Sequence, residues 1–172
     1  MKFKIKYLVF FIVLVLVLVL KTKKSNYSTH PWNSKNFKSF NNCYSYAVDE
    51  PDKNLKKKRE PGDTNGRKID KNNYTCSHFD TLLKSDYPDI IKSNTQPIGC
   101  SHSISLVLDK NKKDFHFYRL HGNDETWSHK RGNKDVSKTD SKNNHIIDPK
   151  YTNRDYGSYN YDTFCGYYCL NN

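Results

Sequence analysis

At 172 residues the chain has room for a short anchor and one compact domain of roughly 130 residues. Only 35% of the residues are hydrophobic, yet there are 13 Tyr and 9 Phe, so a single core built largely from rings is expected. The formal charge of +11 suggests nucleic acid only until it is located: Lys2, Lys4, Lys6, Lys21, Lys23 and Lys24 flank one apolar run, and beyond them 23 basic residues face 18 acidic ones. The remainder is scattered apart from Lys56, Lys57, Lys58 and Arg59, a cluster that reads as a solvated loop, and no nucleic-acid partner is expected.

From Tyr7 to Leu20 the run YLVFFIVLVLVLVL carries no charge. Fourteen helical residues span about 21 Å, short of a bilayer core of about 30 Å. Phe3 and Ile5 lengthen the apolar face, and the flanking lysines can snorkel to the headgroups. The segment KTKKSNYSTHPW that follows lacks the small-x-small pattern of a cleavage site, so residues 1–24 are expected to be an uncleaved signal-anchor in contact with the lipid bilayer through residues 7–20. The lysines are balanced on the two sides and barely decide orientation. The sequons Asn26-Tyr-Ser and Asn73-Tyr-Thr, with the cysteines, favour an exported domain that is extracellular, luminal or on a virion surface.

Residues 25–39 read as a polar stalk, and the folded part is expected from about Phe40 to Asn172. In FNNCYSYAVDE, Asn41 and Asn42 are candidate caps for a first helix. Asp49 to Lys71 is a charged loop with the turn-like PGDTNG, and a second helix is expected from about Cys76 to Lys84. SISLVLD (Ser103 to Asp109), the turn NKK, and DFHFYRL (Asp114 to Leu120) form a hairpin. TWSHK supplies a third antiparallel strand and NHIID a fourth, ahead of a Tyr-rich tail. Helices followed by a strand meander indicate α+β.

Cys43 falls in the first turn of the expected helix, where free amides and the helix dipole favour a thiolate. Strand alternation points His116 away from its neighbours Phe115 and Phe117, so it can serve as base to the thiol if helix and strand pack together. His129, thirteen residues on, is the first choice for the group that orients the imidazole, with Asp124, Asp135 and Asp140 in competition.

NCYSYA on a helix, a strand His in FHFYR and a polar residue on the next strand in WSHKRG resemble the papain-like cysteine amidases and peptidases, in particular their cell-wall-hydrolase branch. Together with RDYGSYNYDTFCGYYC, these segments also look like a little-characterised family in which they recur. The likeness runs from about Asn41 to Cys169. It implies a small papain-like α+β domain, Cys43 as nucleophile, His116 as base, His129 in the third position, no cofactor, and a peptide or peptidoglycan-like substrate. The sequence departs from it by a long basic insertion after the first helix and by the lack of an evident oxyanion-hole side chain. A catalytically silent surface or binding domain of the same fold, with the basic loop and Tyr-rich tail as its interface, is the alternative.

Five cysteines leave one unpaired, and Cys43 is the natural one to stay free. Cys76 would then join Cys100, and Cys165 would join Cys169. The repeated Cys-Ser-His, with Cys76, His78, Cys100 and His102, also admits a tetrahedral zinc site. Trp127 and the tail tyrosines are assigned to the core rather than to a cleft.

Overall fold

The computed structural model describes residues 29–52, 57–121 and 126–170. The expected anchor at 1–24 lies outside them, and among the described residues no helix is long and apolar enough to cross a membrane. The elements are α1 (Lys35–Phe40), α2 (Cys43–Ala47), a 3-10 turn (Asp63–Asn65), α3 (Cys76–Asp86), β1 (Ile91–Ser93), β2 (Ser103–Asp109), β3 (Asp114–His121), β4 (Thr126–Lys130), β5 (Val136–Ser137) and β6 (Thr163–Cys169). The strands form one antiparallel sheet in the order β1-β6-β2-β3-β4-β5. The expected α+β class, both helices, the hairpin and the third strand are all present.

Burial on both faces of the sheet explains why β2 is apolar or small almost throughout and wholly buried. On one face Ile104, Leu106, Leu108 and Phe117 pack with Tyr44 and Ala47 of α2 and with Phe79 and Leu83 of α3. On the other, Val107, Tyr118, Trp127 and Tyr167 pack under Ile146 and Tyr161. That second cover is the irregular segment between β5 and β6.

Four expectations change. NHIID is not a strand: its contribution is an isolated bridge from His145 to Thr139, and Ile146 instead caps the second sheet face, its carbonyl accepting from the Trp127 amide at 3.1 Å. The tail, given no strand, supplies β6, which sits between β1 and β2. Gly166 and its cysteines break the alternation that would have marked it. Gly166 has φ 144°, and a Cβ there would lie 3.3 Å from the Ser93 carbonyl on β1. Packing also reaches back into the stretch read as stalk, where Trp32 is buried edge-on against Tyr46 at 5.3 Å and α1 follows.

The disulfides are crossed relative to expectation, joining Cys76 to Cys165 and Cys100 to Cys169, with Cα separations of 5.2 and 5.7 Å. Once Cys165 and Cys169 share a strand, about 3.3 Å per residue puts them some 13 Å apart, well beyond disulfide reach. The same bridges remove the zinc reading, since the sulfurs of Cys76 and Cys100 are committed. Its two histidines are also engaged: His78 Nε2 accepts from the Asp70 amide at 2.9 Å, and His102 Nε2 donates to the Ala47 carbonyl at 2.6 Å. Cys43 is the one free and buried thiol.

Candidate active site

Helix α2 is five residues long and would be marginal alone, so caps and packing hold it. Asn42 is its N-cap, its Oδ1 accepting from the Tyr44 and Ser45 amides at 3.0 and 3.1 Å. Asn42 Nδ2 donates to the Arg59 carbonyl at 2.7 Å, which ties the basic loop to the helix start. At the far side, Tyr44 donates its hydroxyl to Asp86 of α3 at 2.6 Å. Asp86 also accepts from the Gly62 and Thr64 amides at 2.8 and 3.0 Å.

These contacts fix Cys43 against β3 along the stretch that precedes its pairing with β4, which begins at Tyr118. The thiol donates to the Phe115 carbonyl at 3.8 Å, not to an imidazole. Burial, with the Asp114 carboxylate adding, pushes its pKa up to about 12, against hydrogen bonding from the Phe117 and Tyr44 amides and the positive charge of Lys130, which favour the anion. The thiolate expected from the helix start is therefore not the resting form. The helix is short, and its cap engages the Ser45 amide and shares the Tyr44 amide, both of which were to act on sulfur or on an oxyanion.

His116 lies on the sheet face opposite Phe117, as alternation predicts, with its ring 5.1 Å from Tyr118 and 5.2 Å from Tyr161. Its Nε2 is 2.7 Å from Nδ1 of His129, and His129 Nε2 is 3.0 Å from the Thr139 carbonyl. A carbonyl only accepts, so His129 carries its proton on Nε2 and offers a bare Nδ1. His116 must then donate from Nε2, which leaves His116 Nδ1 as an unprotonated base. Burial, with His129 and Arg131 adding, holds His116 well below the ordinary histidine range. Burial likewise lowers His129 to about 4.

Cys43 and His116 line the same cavity, of about 450 Å³, although they belong to opposite faces of the sheet. Both border the cavity beside the part of β3 not yet covered by β4. Asn42, Asp114, Arg131 and Tyr161 share the wall, and Arg131 stacks 4.1 Å over the Tyr156 ring. Of the three residues singled out from sequence, Cys43 and His116 line the wall, and His129 sits behind His116. Of the competing acids, Asp135 pairs with Lys38 at 2.8 Å. Asp140 is committed to the amides of Lys142, Asn144 and Asn153 and to the Thr152 hydroxyl, and Asp124 lies outside the described residues. Sequence reasoning missed Tyr156, Tyr159 and Tyr161 as cavity residues, whereas Trp127, Tyr167 and Tyr168 are core as expected. The spacing YGSYNY, irregular for a strand, was the available signal.

Among curated proteins, the chain is 32% identical over 127 residues to insoluble matrix shell protein 1 of Ruditapes philippinarum, an overlap of 72% of this chain and 77% of that protein. No family model matches the chain, and no solved structure does.

Proposed function

The chain belongs to the family of insoluble matrix shell protein 1, and from that premise we propose that it is an exported domain with a papain-like Cys-His hydrolase site for peptide-like amides. The two disulfides suit an oxidising compartment. Residues 7–20 serve as its lipid anchor in this reading.

The supporting observation is the directed relay Thr139–His129–His116, which leaves His116 Nδ1 as a base in the cavity that holds the Cys43 thiol. On substrate binding the thiol turns from the Phe115 carbonyl and passes its proton to His116 Nδ1. The sulfur attacks the amide carbonyl as this occurs, so a neutral thiol-imidazole pair becomes an ion pair only during the reaction. His129 accepts from His116 and so steadies the imidazolium. The Cys43 amide, left over by the Asn42 cap, is the donor available to the oxyanion. His116 then protonates the leaving amine, and water, activated by the same nitrogen, cleaves the thioester. Charged walls of both signs and three tyrosines suit a polar peptide more than an apolar ligand.

A thiol-reactive amide probe should label Cys43, and His116→Ala should slow labelling by about 10²-fold or more, the usual scale of general-base help. Labelling that is unchanged in His116→Ala would leave a catalytically silent matrix domain as the reading. The name of the relative, a matrix shell protein, favours that second reading.

A further inference from the structure

One charge beneath the nucleophile has no part in the relay. Lys130, the last residue of β4, is wholly buried. Its Nζ donates to the carbonyls of Lys38 at 2.9 Å, Asn41 at 2.5 Å and Gly132 at 2.5 Å. Three donors meet three acceptors, so the site is built for the charged ammonium. Two of those acceptors belong to the segment that leads into α2, and Asn41 is two residues before Cys43. Lys130 therefore clamps β4 to the turn that sets the nucleophile.

Joining β4 to this turn could be done by a neutral side chain, and a buried ion is a poor device for stability alone. The charges around Lys130 give it little compensation. Lys38 and Lys58 oppose it, and Asp135, which favours it, is paired with Lys38. Cys43 is the other group in its surroundings that would favour the cation on ionising; the thiol shares its cavity wall with Lys58, Glu60, Asp114 and Arg131, and of these Asp114 opposes the thiolate. Burial lowers the lysine to about 8 and raises the thiol to about 12, so each is disfavoured as an ion in isolation and each favours the other's charged form.

We propose that Lys130 is a positioning residue of the Cys43 site whose caged ammonium, rather than the dipole of the short helix α2, supplies the positive charge that stabilises the developing thiolate. This deepens the reading of Cys43 as a nucleophile and rests on it. The test reads thiol ionisation and needs no substrate, so it is separable from failure of the hydrolase reading.

The full chain and its Lys130→Gln and Lys130→Met variants would be alkylated with iodoacetamide from pH 6 to pH 11, with thermal melts in parallel. Gln keeps two amide donors for the carbonyl cage without the charge. Loss of the charge should cut the alkylation rate at pH 7 about tenfold or more in any variant that keeps a cooperative melt. Rates within twofold of wild type in a folded variant would overturn the proposal and leave Lys130 a structural clamp. The unsubstituted chain provides a check that does not depend on variants folding. Its log rate should climb with unit slope to about pH 8 and flatten above it, as the ammonium loses its proton and the thiolate its counter-charge. A unit slope straight through pH 8 to 10 would equally overturn the idea.

Discussion

At neutral pH the Cys43 thiol and the His116 imidazole of the cavity are uncharged, because burial disfavours the thiolate and the imidazolium alike. The histidine pair ties this to stability. Unfolded imidazole binds a proton below about pH 6.5, while His129 in the fold resists protonation until about pH 4. The unfolded state therefore holds more protons in that window, and stability falls as pH drops from about 6.5 to 4. His129 alone should account for on the order of 3 kcal/mol, and His116, shifted in the same direction, adds to it. Urea melts at pH 7 and pH 4.5 check this: His129→Asn should flatten the dependence, and an equal slope in wild type and variant would contradict the assignment. The residues of this site were legible because each is a chemically distinctive type in a short, regular element. The ionisation state was not, since it depends on burial from sequence-distant segments.

At the scale of elements, α2 is held by its neighbours. Asp86 joins it to α3 and to the turn at Gly62, where φ is 94° and a Cβ would meet Leu82 Cδ2 at 2.8 Å. Removing the carboxylate in Asp86→Ala leaves the Tyr44 hydroxyl and two amides without their acceptor and should cost at least about 3 kcal/mol by chemical denaturation, from three unsatisfied groups at about 1–3 each. Helix α3 and the hairpin of β2 and β3 could be read in advance from the apolar run, the turn residues and the caps. Strand β6 could not, because a glycine and two cysteines conceal its period. Its pairing with β2 depends on residues 55 to 66 positions away. The disulfides follow from β6. Non-reducing peptide maps should link Cys76 to Cys165 and Cys100 to Cys169, and a Cys165–Cys169 loop peptide would contradict this sheet order. Replacing either pair by Ser should destabilise by about 2–5 kcal/mol.

For the whole molecule, the sheet is sandwiched between α2 with α3 on one face and the segment from β5 to β6 on the other. This second cover is also the source of the cavity tyrosines, so the same stretch closes the core and shapes the site. The anchor expectation belongs to this scale: the full chain should stay with membranes in alkaline carbonate, and deletion of residues 1–24 should release it. By itself the sequence determined the class of the fold and the central hairpin, and it singled out Cys43, His116 and His129 as candidates, since local period, caps and side-chain chemistry are properties of neighbours along the chain. Only the tertiary structure decided the disulfide partners, the placing of β6, the burial of Cys43 and His116 and the carbonyl cage around Lys130. Each of these rests on groups brought together from distant positions, and on the water that their packing excludes.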